Sequence, residues 1–224
     1  MGGFIMKVKT KNEISASLKP ITTAIDQLGQ SLLPVLWGFK DVFGSLYSSQ
    51  KQIAFQDFIE GIAFHFENQS LDEASIKMLT QKASNSKNHE TMTNILDSVF
   101  FSHCKLSRTI LGIITGKYML NNTIDYEDMV LVNALKDVFD DDLNEFWRYS
   151  QYSPYSIEDR TSFMTHYSEK DRLIVDKLQN SGILGRDLAG NRLGGSESLR
   201  FELTSVSNRL KYYLQAIQSN SVHK

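Results

Sequence analysis

Through most of this chain apolar residues return every three or four positions, the spacing that gathers them on one face of a helix, and only near the end do they alternate one by one. Ile21, Ala24, Ile25, Leu28 and Leu32 predict a helix that stops at Pro34, and the apolar run from Val35 to Tyr47 predicts another short one. The clearest stripe is Phe55, Phe58, Ile59, Ile62, Ala63 and Phe66, which predicts a helix over Gln50 to Asn68 with that face in the core. Ser70, three residues before Glu73, has the spacing of a capping box and opens a short helix through Leu71, Ile76 and Leu79, closed by the polar run Gln81 to His89.

A long helix is expected from Glu90 to Ile114, since Met92, Ile95, Leu96, Val99, His103, Leu106, Ile110 and Ile113 keep one spacing. Gly116, Asn121 and Asn122 then punctuate the chain, and Asp125 begins a helix predicted to hold Met129, Val132, Leu135 and Phe139. An aromatic stretch with Phe146, Trp147, Tyr149, Tyr152 and Tyr155 leads to a less regular connection, and it is expected to pack at the junction of two regions.

The last sixty residues change period. Ser168 and Asp171 form an N-cap pair for a helix carrying Leu173, Ile174 and Leu178 that ends at Ser181 and Gly182. Ile183 and Leu184 start a strand, a loop with Gly185, Gly190, Gly194 and Gly195 follows, and Leu199, Phe201 and Leu203 alternate as a second strand. Thr204 is placed to cap a closing helix with Val206, Leu210, Tyr213, Leu214 and Ile217. Helix, strand, glycine-bearing loop, strand and helix is the order of the second half of a winged-helix domain. The expected fold is therefore mainly α, with a helical domain over residues 1–122 and a winged-helix-like α/β domain over residues 123–224.

Within the last quarter, Leu173 to Tyr213, with "LIVDKLQNSGIL…LRFELTSVSNRLKYYL", resembles the C-terminal part of bacterial helical proteins linked with phage-abortive infection, in which a helical front precedes a winged-helix-like end. The resemblance implies a non-enzymatic regulatory or defence protein. Where such ends carry Gly near the start of the closing helix, this chain has Ser207.

Composition adds limits. With 41% hydrophobic and 22% charged residues over 224 positions, the chain has the usage of a folded domain. Its longest weakly charged apolar stretch, Leu28 to Phe43, is broken by Gln30, Pro34, Gly38, Lys40 and Asp41, so no span of a bilayer core of about 30 Å is expected. The basic start, Met1 to Lys11, is not followed by an apolar run and cleavage site, and Cys104 is the sole cysteine; both point to a cytoplasmic, reducing setting. The net charge of −2 conceals an asymmetry: ten acidic against two basic residues from Thr123 to Asp159, net −8, and ten basic against six acidic from Arg160 to Lys224, net +4. Such a layout either steers a partner or is matched internally, and the internal match is the expectation.

The candidate chemistry is sparse. His65, His89, His103, His166 and His223 show no metal-ligand spacing, no phosphate loop or dinucleotide fingerprint occurs, and the glycines suit a loop. Asp140, Asp141 and Asp142 lack the alternating ligands of a calcium loop and read as a solvated helix start. No catalytic residue, metal or cofactor is expected. What remains is a basic set, Arg186, Arg192 and Arg200 on the loop and strand with Lys170, Arg172 and Lys177 on the preceding helix, interleaved with Glu169, Asp171 and Asp176. Basic residues there suit phosphate contacts, as in a DNA-binding transcriptional regulator, while the acids favour a protein partner through the same fold. A protein partner is the leading expectation and DNA the alternative, with a homodimer allowed by the long helix at Glu90 to Ile114.

Overall fold

The computed structural model describes residues 49–68, 89–151, 161–164, 167–186 and 199–222. The helices expected around Ile21 to Leu32, Val35 to Tyr47 and Leu71 to Leu79 lie outside these residues, as do Gly190, Gly194, Gly195, Arg192, Tyr152 and Tyr155. The fold is mainly helical with a small antiparallel sheet near the C-terminus. The described residues divide into two compact units: 49–68 and 89–125 with 135–137, and 126–134 with 138–222. Among the described residues no helix is long and apolar enough to cross a membrane.

The first unit contains α1 (Ser49–Asn68), α2 (His89–Phe101) and α3 (Lys105–Asn121). The stripe read from the sequence packs as expected: Phe58, Ile59, Ile62, Ala63 and Phe66 of α1 are buried, together with Met92, Ile95, Leu96 and Val99 of α2 and Leu106, Ile110, Leu111, Ile113 and Ile114 of α3. Helices α1 and α3 cross backbone against backbone at two glycines. A Cβ on Gly61 would stand 2.1 Å from the carbonyl oxygen of Thr109, and one on Gly112 would stand 2.1 Å from that of Phe58. Beside the crossing, Asp57 is 5% exposed and accepts from the Arg108 guanidinium through Nε at 2.9 Å, with Nη2 at 2.8 Å, while Lys105 reaches Glu60 at 3.2 Å and Asp57 at 3.6 Å. The buried carboxylate therefore keeps its partners, as a buried charge must.

The single helix expected over Glu90 to Ile114 is two helices. The Ser102 amide donates to the Ser98 carbonyl at 2.9 Å as α2 ends, and Cys104 turns extended (φ −130°, ψ 150°) to become the N-cap of α3, its sulfur accepting from the Ser107 amide at 3.3 Å. Arg108 then donates to the Ser102 carbonyl at 3.1 Å and holds the corner. Serine side chains that bond to nearby backbone compete with helix, and here they prevail over the apolar period. As a result Cys104 is buried, whereas His103, expected on the apolar face, is exposed. The long helix that allowed a homodimer is thus replaced by two shorter ones.

The second unit runs α4 (Tyr126–Ala134), α5 (Asp140–Tyr149), β1 (Thr161–Met164), α6 (Glu169–Asn180), β2 (Leu184–Gly185), β3 (Leu199–Leu203) and α7 (Ser205–Val222). The sheet order is β1-β3-β2, with Thr161 opposite Glu202 and Met164 opposite Leu199, and Leu184 opposite Leu203. Helix α4 ends at Ala134, short of Phe139; Met129 and Phe139, expected in its core face, are 50% and 49% exposed.

Two local devices fix the end of α6 and the start of α7. Gly182, at φ 78°, completes a Schellman turn in which the Ile183 amide donates to the Leu178 carbonyl at 2.9 Å and the Gly182 amide to that of Gln179 at 3.1 Å. Thr204 Oγ1 accepts from the Ser207 amide at 3.1 Å, Ser207 Oγ accepts from the Thr204 amide at 2.9 Å, and both hydroxyls donate to the Ile183 carbonyl. Ser207 is therefore half of the cap, which is why this position does without glycine.

Gly112→Ala or Gly61→Ala should lower the unfolding free energy by about 2 kcal/mol, although alanine favours a helix by about 1 kcal/mol, because the helices must separate. Urea unfolding followed by circular dichroism checks this, and an unchanged midpoint would refute the close crossing. The half-buried ring of His65 lies against Gly116, and burial first and the Lys117 ammonium second hold its pKa below 6.5. A depressed histidine favours the folded state above its unfolded pKa, so stability should fall as pH drops below 6.5. The difference in unfolding free energy between His65→Gln and the parent, measured across this window, should change with pH; a pH-independent difference would count against it.

Candidate functional site

The basic set expected to meet a partner lies on α6 and the strands beside it. Helix α6 begins with a reciprocal cap: Ser168 Oγ accepts from the Asp171 amide at 3.1 Å, and Asp171 Oδ2 accepts from the Ser168 amide at 2.8 Å and from its hydroxyl at 2.7 Å. The other carboxylate oxygen of Asp171 accepts from the Tyr149 hydroxyl at 3.0 Å and from the Arg148 guanidinium. Burial alone would raise the pKa of Asp171, but the bonds from Ser168 and Tyr149 and the charge of Arg148 hold it below the ordinary carboxylate value. Tyr149 shifts upward, through burial first and the Asp171 charge second, and stays a neutral donor. Its ring packs against Phe201 of β3 at 5.6 Å, with both side chains fully buried. Tyr149 thus belongs to the core of this unit, and its neighbour Trp147 is half-buried.

Each described helix cation has an acidic partner. Lys170 reaches Asp141 at 3.3 Å, Arg172 reaches Glu169 at 2.9 Å one turn back, and Lys177 reaches Asp142 at 2.5 Å while its ammonium stands 4.0 Å above the Phe139 ring. The first two pairs are exposed and worth about 0–1 kcal/mol, so a phosphate would displace them cheaply. Lys177 differs, because the side chain of Asp142 is 8% exposed and depends on that lysine and on the Phe139 amide at 2.9 Å. Asp142 is therefore a buried cap of α5, whereas Asp140 and Asp141 are exposed as the sequence suggested.

Arg186 and Arg200 are exposed, and Arg186 donates to the Asn180 amide oxygen. Gln179 ties this region together, its amide donating to the carbonyls of Gly185 and Arg200, each at 3.2 Å. Among the described residues, Lys170–Asp141, Lys177–Asp142 and Arg209–Asp128 pair cations of the basic stretch with acids of the acidic one, while Arg148–Asp171 runs the other way, so the charge asymmetry is met in part inside the unit.

One feature of the surface escapes the periodicity. Leu173, one of the apolar residues predicted on this helix, is 60% exposed, while Ile174, Val175 and Leu178 fill the inner face. It stands three residues after Lys170 and four before Lys177, on the face from which both lysines reach α5, and Lys177 covers the half-exposed Phe139. The only sequence signal was that Leu173, Ile174 and Val175 cannot all face inward.

No group of three or more His, Cys, Asp or Glu side chains is arranged to hold a metal among the described residues. Asp171→Ala should cost about 2–3 kcal/mol, the loss of a cap plus a buried tyrosine hydroxyl left without its acceptor, whereas Lys170→Ala should stay within about 0.5 kcal/mol. Chemical denaturation of both variants measures the contrast, and equal effects would contradict it. No protein-family model matches the chain, and neither a curated protein nor a solved structure matches it.

Proposed function

We propose that the second unit is a winged-helix-like module that binds a protein, within a non-catalytic regulatory or defence protein of bacterial or phage-associated origin. The order α5, β1, α6, β2, β3 with β3 between the other two strands supports the winged-helix reading, and the resemblance over Leu173 to Tyr213 supports the biological class. The observation that carries protein binding is the exposed Leu173, set on α6 between Lys170 and Lys177, which pair with Asp141 and Asp142. An apolar anchor within a rim of balanced charge suits a protein surface, which rewards desolvated apolar contact. A duplex, by contrast, would meet Glu169, Asp176 and Asp141 on exposed positions around the same helix.

The second reading, DNA binding, draws on the exposed Arg186 and Arg200 with Lys170 and Arg172. Fluorescence anisotropy of the protein with mixed duplex fragments, at about 50 and 200 mM salt, separates the two. The protein-binding reading expects no salt-steep affinity. It also expects a photo-crosslinking residue at Leu173, in the producing cells, to form a discrete protein adduct that the same group at Asp176 does not form. Tight binding at low salt that disappears when Arg186, Arg192 and Arg200 are all replaced by alanine would establish DNA binding instead.

A further inference from the structure

We infer that the charged residues at the crossing of α1 and α3 are a register lock, which holds α1 over Gly112 and keeps it from slipping one helical turn to Gly116. The two helices run parallel and in step: Asp57 meets Arg108, Gly61 meets Gly112 and His65 meets Gly116, each pair 51 residues apart in sequence. The contact is nearly symmetric. A Cβ on Gly61 would strike the Thr109 carbonyl and one on Gly112 the Phe58 carbonyl, in each case three residues before the partner glycine.

What permits so close an approach is the lack of a Cβ, and α3 offers that twice. Gly116 lies one turn beyond Gly112 and also faces α1, since the His65 ring rests against it. The glycines alone therefore allow two crossings. Apolar contact, being non-directional, chooses weakly between them. After a slip of four residues Ile59 would stand level with Ile114 instead of Ile110, and Phe58 with Ile113 instead of Thr109. His65 is a light obstacle, because a half-buried ring can swing aside without stranding a charge.

The ion pairs do discriminate. Asp57 Oδ2 takes two nitrogens of Arg108, at 2.9 and 2.8 Å, and Lys105 reaches Glu60 at 3.2 Å and Asp57 at 3.6 Å. These four side chains are 8–25% exposed, so little water covers them. A slip to Gly116 would carry both cations about 6 Å along the axis, away from both carboxylates, and set Asp57 level with Gly112. An ion pair in such a place adds little net stability, but breaking it leaves a sheltered charge without a partner, so its main effect is to select one register. Arg108 extends the selection to the corner, because its Nη1 donates to the Ser102 carbonyl at 3.1 Å. The register of α3 and the turn between α2 and α3 are thus set together. All of this lies in the helical unit and does not rest on the function proposed for α6.

Pulsed electron–electron double resonance on the full chain reads the register as a distance. Spin labels go on the exposed Ile53 of α1 and Asn121 of α3, through Ile53→Cys and Asn121→Cys, with Cys104→Ser to remove the buried thiol while keeping an N-cap. This labelled parent is expected to give one distance. Neutralising the lock with Asp57→Leu, Arg108→Leu, Glu60→Gln and Lys105→Gln should add a second population about 5 Å shorter, with the helical circular dichroism unchanged. Gly116→Ala on that background puts a side chain where α1 would have to cross, and it should abolish the second population while leaving the first. Asp57→Asn with Arg108→Gln replaces the leucine pair if that variant does not fold. A single parental distance in a folded neutral variant, or a second population that survives Gly116→Ala, would overturn the inference. So would failure of both neutral variants to fold, which would show that the pairs stabilise the unit and do not choose its register.

Discussion

A carboxylate with four hydrogen bonds is a fixed point, and Asp171 provides one for the C-terminal unit. Two of its bonds come from Ser168 and set the first turn of α6; the other two come from Tyr149 and Arg148 at the end of α5. The Tyr149 ring then rests on Phe201, the centre of β3, so one side chain relates two helices and the sheet. Its charge is affordable in a nearly buried place only because donors surround it, as the lowered pKa records. The exposed faces of α6, and whatever they bind, take their positions from that arrangement.

The helical unit solves a different problem. There the limit is distance: Gly61 and Gly112 let α1 and α3 approach until any side chain at either site would overlap a carbonyl oxygen. Such an approach places backbone dipoles and apolar side chains in dense contact, and the buried Asp57 beside it is compensated by Arg108 and Lys105. Arg108 also binds the carbonyl at the corner between α2 and α3, so the crossing and the corner are held by the same residue.

Much of this was legible because it is local. The α1 stripe, the Ser168–Asp171 cap, the stop at Gly182, the alternation of β3 and the Thr204 cap all rest on residues a few positions apart, and each has the form its spacing implies. The readings that failed did so for one reason, that apolar period does not report what the polar atoms do. Val99, Leu106 and Ile110 keep a helical spacing across Ser102 and Cys104, yet hydroxyl and thiol groups there redirect the backbone. Cysteine is a rare N-cap, so nothing in its identity marked the corner. Leu173, Ile174 and Val175 are consecutive and cannot share one helix face, so tertiary packing leaves Leu173 outside, while Phe139 lies beyond the end of α4 at Ala134. The pairs across the site were legible only as a balance of totals, −8 against +4, since their geometry needs the fold.

That balance also explains where the surface is neutral. The acids of α5 are met by cations from α6, the buried Asp128 of α4 is met by Arg209 and Tyr213 of α7, and Lys211 turns to a backbone carbonyl. Once those charges are drawn inward, the outer positions of α4 and α7 retain only tyrosine, methionine, amide and hydroxyl groups. The same internal pairing that stabilises this unit therefore leaves α6 with balanced charge around an apolar anchor, while on α4 and α7 the charged residues Glu127, Asp128, Arg209 and Lys211 are buried or half-buried.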